Sequence, residues 1–268
     1  MDIMKKVTVS TLAKRYASGE KLVMCTAYDA IQSRLCMSGG IDFLLVGDSV
    51  GMTHLGYENT LPVSMDDMLR HTAAVRRGAP EAFVVFDMPF MSYQESVEQA
   101  LHNAGSAMKT TGADAVKLEG GAEYAGLIRQ MTGAGIPVMG HIGLMPQRVQ
   151  VAGGYKVVGR DDESAEKVLA DALALQDAGV FAVVLECVPE ALGERVTKAL
   201  SIPTVGIGSG KYCSGQVQVI CDLLGLMEFK PKHAKRYLEA GALVSDALKS
   251  YADEVRSGEF PTAENSFQ

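Results

Sequence analysis

Nowhere in this chain do two cysteines stand as a C-x-x-C pair, and the five present (Cys25, Cys36, Cys187, Cys213 and Cys221) are odd in number. A disulfide framework or a thiolate zinc site is therefore not expected, and buried thiols are the simpler reading. Long apolar runs are lacking as well. The stretch VFAVVL (180–185) is among the longest and is far too short to cross a bilayer. The first twenty residues carry lysines but neither an apolar core nor a small-residue cleavage site, so they do not read as a secretory signal and a cytoplasmic protein is expected. Basic excess is missing too: the net charge is −7 and no basic stripe stands out, which argues against nucleic acid as a partner. No stretch rich in proline, glycine or serine marks a linker, so residues 1–268 read as one domain.

What is present is a repeated unit. At 268 residues and 47% hydrophobic, the chain can fill one large α/β architecture. Short β-branched runs recur at LVMCTAYD (22–29), FLLVGDS (43–49), AFVVFDMP (82–89), AVKLEGG (115–121), PVMGHIG (137–143), VFAVVLECVP (180–189) and IPTVGIGSG (202–210). Unbroken apolar runs of this length suit parallel strands buried on both faces. Between them lie helical spacings, such as Val97, Ala100, Leu101, Ala104 and Met108 ending at Gly112, or Ala165, Val168, Leu169 and Ala172 ending before Gly179. A helix is expected near 10–18, another over about 233–256, and QVQVICD (216–222) reads equally as an eighth strand or a helix. Seven or eight such units close most simply into a (β/α)₈ TIM barrel preceded by an N-terminal helix, with a doubly wound open sheet as the alternative. One long irregular insertion, 144–163, follows the fifth strand and has the length of a lid or binding loop.

The strands end on charge. Apolar runs arrive at Asp29, Asp48, Asp87, Lys117 with Glu119, His141 and Glu186. In a barrel these ends converge on one mouth, where barrel enzymes carry their chemistry. Period two sends Lys117 and Glu119 to one side and Val116 and Leu118 to the other; charge facing the helices is costly, so the charged pair is expected inside. Any one of these residues could serve as a helix cap or a structural ion-pair partner, Asp29 above all. Together, several acids at one mouth repel one another unless protons or a cation relieve them. Their hard oxygens suit Mg²⁺ or Mn²⁺ better than zinc. The run VGIGSGK (205–211) is neither a Walker A motif nor a dinucleotide fingerprint; it is left as a phosphate site or a place of close packing.

Taken in order, TAYD, LLVGDS-x-G, NTLPV, HTAAVRRGAP, VKLEGG, GHIGL-x-PQ, GGYKVVGR, LECVP and GIGSG resemble the ketopantoate hydroxymethyltransferase family from about Val9 to the end of the chain. The resemblance implies a magnesium-dependent barrel forming homo-oligomers, typically decamers. It implies transfer of a hydroxymethyl group from 5,10-methylenetetrahydrofolate to 2-oxoisovalerate, through a metal-stabilised enolate, in pantothenate biosynthesis. Carried over onto this sequence, it assigns the metal to Asp48, Asp87 and Glu119. It assigns the ketoacid to Asp48, Ser49, Asp87, Lys117 and His141, and the proton acceptor to Glu186. Departures stand at Ser209, His233 and Asn265, outside the metal and base sets. A phosphoenolpyruvate mutase-type lyase is the enzymatic rival, set back by the absence of cysteine from 144–163. A non-catalytic scaffold barrel is the other, set back by the intact acids.

Overall fold

The computed structural model describes residues 6–267; the reading of the first five residues as part of a leaderless start lies outside them. Eight strands follow one another: β1 (Leu22–Thr26), β2 (Phe43–Val46), β3 (Phe83–Asp87), β4 (Ala115–Glu119), β5 (Val138–Gly143), β6 (Ala182–Glu186), β7 (Thr204–Ile207) and β8 (Gly215–Gln218). They pair in that order and close, β8 returning to β1. Every pairing is parallel. The chain is a (β/α)₈ TIM barrel, and the open-sheet alternative falls with the β1–β8 pairing.

Alternation along the strands builds two layers. The inward row comprises Leu22 and Met24, Phe43 and Leu45, Phe83 and Val85, Ala115, Met139, Ala182 and Val184, Val205 and Ile207, and Val217, packed as one buried cluster. The outward row, with Val84, Phe86, Val116, Leu118, Val183 and Leu185, is equally buried. Burying each large aliphatic or aromatic side chain contributes on the order of 1.5–3 kcal/mol. Leu12 of the N-terminal helix Val9–Ala17 joins the inner cluster beside Leu22, Phe43 and Phe83, the residues at or near the strand starts. That helix closes the lower end of the barrel, and the inner cluster forms an apolar floor beneath the mouth.

The helices start and stop where their caps dictate. Ser96 accepts the Gln99 N–H to open Val97–Thr111, and Gly112 at φ 75° ends it in the left-handed conformation that glycine adopts without penalty. Asp161 opens Asp162–Asp177 by accepting from Ser164. Asp29 accepts from the N–H groups of Ile31 and Gln32 to open Ala30–Ser38, so it is a cap.

The described residues fall into two compact units, one ending at Val219 and the other beginning at Ile220. The ambiguous run 216–222 divides at the same place: its first part is β8 and its second opens the helix Ile220–Leu224. The second unit contains the helix Ala240–Ser257, seven residues shorter at its start than its apolar spacing suggested, because the lead-in backbone bonds elsewhere: the Ala234 N–H donates to Pro231 O in a turn and the Tyr237 N–H donates to Leu223 O. Among the described residues, no helix is long and apolar enough to cross a membrane.

Candidate active site

The inward row does not stop at the apolar floor. Two residues beyond Val85 stands Asp87; beyond Ala115 stand Lys117 and then Glu119; beyond Met139 stands His141; beyond Val184 stands Glu186. Register sets them side by side, pairing Asp87 with Lys117 and Glu119 with His141. Lys117 and Glu119 thus point inward and Val116 and Leu118 outward, as period two requires. Asp48 arrives by another route. β2 ends at Val46, and the turn through Gly47 carries Asp48 over the mouth, where its backbone N–H donates to Asp87 Oδ2 at 3.2 Å. Gly47 leaves space there: a Cβ at this position would lie 2.8 Å from Ser49 Oγ. Ser49 turns its hydroxyl to the buried Tyr28 OH at 2.8 Å.

Asp48, Asp87, Lys117, Glu119 and His141 are each at most 4% exposed. Lys117 Nζ lies 2.7 Å from Asp87 Oδ1 and 3.1 Å from His141 Nδ1. His141 Nδ1 is 3.6 Å from Glu119 Oε1, and its Nε2 is 3.2 Å from Glu186 Oε2. Glu186 is the most open of the group, with 17% of its side chain exposed. All seven residues that the sequence nominated are therefore placed at the mouth. Six of them cluster directly; Ser49 joins through the Gly47 turn and Tyr28.

Burial governs the protonation of this cluster. It raises the Asp87 carboxyl to about 7, with the Lys117 ammonium opposing the shift and the Asp48 charge adding to it. It raises Asp48 against the same ammonium, and it raises Glu119 well above the usual carboxylate range, reinforced by Asp48, Asp87 and Glu186. It also pushes His141 well below its ordinary value, helped by the neighbouring Lys117, so the imidazole is neutral near pH 7.

Whether these acids fit a divalent cation can be judged from their oxygens. Glu119 Oε1 is buried without a hydrogen bond, and Asp87 Oδ1 is buried against the Lys117 ammonium at 2.7 Å. A buried carboxylate oxygen left unsatisfied, in a set of three acids, is a hard-cation donor. Among the described residues, no three His, Cys, Asp and Glu side chains stand as a ready-made ligand set. Lys117 pairs with Asp87 Oδ1, and Gln147 satisfies one oxygen of Asp48. The donor chemistry fits a divalent cation, with the side chains arranged around protein donors.

Two participants escaped the sequence reading. Gln147, 4% exposed, donates from Nε2 to Asp48 Oδ2 and to Met88 O, and Tyr93 OH donates to Gln147 Oε1 at 2.8 Å. Both residues come from loops and neither is charged; the quoted block GHIGL-x-PQ was the one available signal.

The glycine run after β7 is a packing device. A Cβ at Gly193 would meet Ser209 O, and one at Gly210 would meet the Glu190 side chain, an acid where a phosphate site needs donors. Ser209, one of the departures, is fully buried and donates its hydroxyl to Leu185 O at 2.7 Å, tying β7's exit to the residue before Glu186. Asn265 accepts from Thr262 in a local turn of the second unit.

A barrel that holds this much buried charge at its C-terminal mouth is an enzyme of the TIM-barrel class. The sequence pattern of ketopantoate hydroxymethyltransferase matches residues 6–263, and the chain belongs to that family. Among its relatives, the 3-methyl-2-oxobutanoate hydroxymethyltransferase of Desulfotalea psychrophila is 54% identical over 98% of this chain and 95% of its own. The protein of the same name from Kosmotoga olearia is 55% identical over 92% and 93%. In fold, the barrel resembles a putative phosphonomutase of Burkholderia cenocepacia (TM-score 0.64, 15% identity, 93% of this chain and 99% of that one). It also resembles phosphonopyruvate hydrolase in complex with oxalate and Mg²⁺ (TM-score 0.63, 12% identity, 97% and 93%). The mutase-type rival thus shares the architecture at low identity, while identity above one half runs through the hydroxymethyltransferases.

Proposed function

We propose that this enzyme transfers a hydroxymethyl group from 5,10-methylenetetrahydrofolate to 2-oxoisovalerate, giving 2-dehydropantoate, with a divalent cation, Mg²⁺ first, held by Asp48, Asp87 and Glu119. The observation that carries the reading is the pairing of a closed set of buried acids with one half-open acid, Glu186, on the same side of the barrel. Glu186 takes the proton from C3 of the ketoacid, and His141, in contact with it, holds the carboxylate facing the mouth. Lys117 and His141 offset the substrate's charge locally, which lets a protein of net charge −7 accept an anion. A bound cation supplies Lewis-acid charge to the oxygens of the 2-oxoacid. Ser49 lines the entry beside Asp48. Water supplies the hydroxyl of the product, since the incoming one-carbon unit is at the formaldehyde level.

The protein acts in the cytoplasm as a homo-oligomer, a decamer by family resemblance. Supporting association, the helix Ala240–Ser257 exposes Leu243, Val244, Leu248, Tyr251 and Val255. The decisive assay is folate-dependent formation of 2-dehydropantoate with and without a chelator. Product formation that needs the folate and stops on chelation supports the reading; full turnover under chelation overturns the cation, and no product at all overturns the reaction.

A further inference from the structure

Gln147 sits in the 3₁₀ turn Pro146–Arg148, at the root of the insertion that follows β5. Its backbone N–H donates to Glu119 Oε2 at 3.0 Å, while its side-chain Nε2 donates to Asp48 Oδ2 at 2.9 Å and to Met88 O at 2.9 Å. One residue therefore holds one oxygen of each of two acids, Glu119 at the end of β4 and Asp48 in the turn after β2. The orientation of its amide follows from the partners. Met88 O can only accept, and so can ionised Asp48, so the NH₂ faces them; Oε1 then faces Tyr93 OH and Gln94 Nε2, at 2.8 and 3.4 Å. Tyr93 in turn accepts the Glu119 N–H at 3.2 Å, which locks the phenol between Gln147 and β4.

The consequence is a division of labour among the carboxylate oxygens. The oxygen of Glu119 that Gln147 holds is Oε2, and Oε1 is left buried with no hydrogen bond. A neutral amide is the right holder for such acids. It satisfies an oxygen without cancelling its charge, whereas a lysine would neutralise it and a carboxylate would repel it.

We propose that Gln147 is a positioning residue that aims Asp48 and Glu119 at the divalent cation, and that Tyr93 fixes its amide in the working orientation. This rests on the cation reading above. Because Gln147 opens the insertion, correct seating of that segment becomes a condition for cation binding.

The test uses Q147M, which keeps length and the backbone N–H to Glu119 but loses the side-chain amide that holds Asp48 and Met88 O, and Y93F, which keeps the ring. Mn²⁺ is titrated into wild type and both variants by calorimetry, and each is melted free of metal. Wild type is expected to bind, Q147M to bind about 10- to 100-fold more weakly, and Y93F to fall between the two, with both variants melting close to wild type. A Q147M affinity equal to that of wild type overturns the proposal and leaves the cation reading standing, as does a variant that loses melting temperature but no affinity. Should Q147M fail to fold, an unchanged affinity in Y93F overturns it. Absence of Mn²⁺ binding in wild type removes the cation reading and this inference with it.

Discussion

His141 Nε2 and Glu186 Oε2 stand 3.2 Å apart across β5 and β6, in contact but outside the angular range of a well-formed hydrogen bond. The proton on that imidazole can be placed. His141 is held neutral by burial and by Lys117, and the Lys117 ammonium at 3.1 Å can only donate, so Nδ1 accepts. The single ring proton is therefore on Nε2, on the side of Glu186. A small rotation of either group aligns the pair, which holds the Glu186 carboxylate toward the mouth.

From this geometry, wild type with Mg²⁺ and no folate is expected to exchange the C3 proton of 2-oxoisovalerate for deuterium in heavy water. Glu186→Gln keeps ketoacid binding and loses exchange by about 10²- to 10⁴-fold. NMR of the ketoacid reads it directly, and a variant that exchanges at the wild-type rate places the base elsewhere.

Asp87→Ala removes one of the three acids and also the partner of Lys117 at 2.7 Å. Calorimetric Mg²⁺ binding and turnover are expected to disappear while the circular dichroism of the barrel persists. Unchanged Mg²⁺ binding would take Asp87 out of the ligand set.

Protons and cation should compete for the same oxygens. Asp87 is raised from 3.8 to about 7, and Asp48 and Glu119 are raised in the same sense. For carboxyls whose folded values exceed their unfolded ones, the folded state binds the extra protons. The stability they contribute is full at low pH and is lost as pH rises from about 4 through about 7. His141, depressed in the fold, contributes the opposite slope below about 6.5, one group against three. A cation replaces the lost protons and releases any that remain. The rise in melting temperature on adding Mg²⁺ is thus expected to be larger at about pH 8 than at about pH 5.5. Equal shifts at both values would show that these carboxyls are not the ligands.

The insertion offers a fourth probe. Lys156 and Arg160 are exposed along an open cavity of about 600 Å³ with Tyr155, Val157 and Ser164, and Tyr155 OH reaches Met52 Sδ at 3.7 Å. Arg148 is already paired with Glu123 at 2.6 Å, so it is less suited to meet the folate's glutamate tail. Neutralising Lys156 and Arg160 together is expected to raise KM for the folate several-fold more than KM for the ketoacid, by loss of roughly 1 kcal/mol or more per charge-assisted contact. Equal effects on both would count against folate contact.

Gly143 tests how tightly the strand ends are fitted. At φ 93° it lies in left-handed space, and a Cβ there would land on the Glu186 carbonyl oxygen, which already accepts the Leu144 N–H at 2.8 Å. Gly143→Ala is expected to cost on the order of 1–3 kcal/mol, lowering the melting temperature by several degrees, and to reduce kcat by shifting the end of β6. A melting curve that superposes on that of wild type would mean the neighbouring carbonyl yields freely.

Strand parity made half of this site legible. Asp87, Lys117, Glu119, His141 and Glu186 follow from counting by two from Val85, Ala115, Met139 and Val184, because an alternating strand inside a closed barrel allows charge only at the open end. Asp48 does not follow from that count. Its slot in the inward row is taken by Gly47, and a turn delivers the carboxylate, so only the motif around it marked it. Gln147 was marked only by the block GHIGL-x-PQ, which gives no role, and Tyr93 by nothing: neither lies in a strand, and an uncharged side chain reveals its role only through the oxygens it touches. The run 216–222 stayed ambiguous because an apolar stretch of that length satisfies both periods, and it is in fact split between them.

The helix that packs Leu12 beneath the strands, and the row of Val85, Met139 and Val184 above it, give the barrel an apolar floor beneath its acids. For the reaction proposed above, traffic through such a vessel would run on a last-in, first-out rule. The smaller ketoacid would descend to the acids before the bulkier folate stops the opening. The spent folate would depart before the enlarged acid beneath it climbs out.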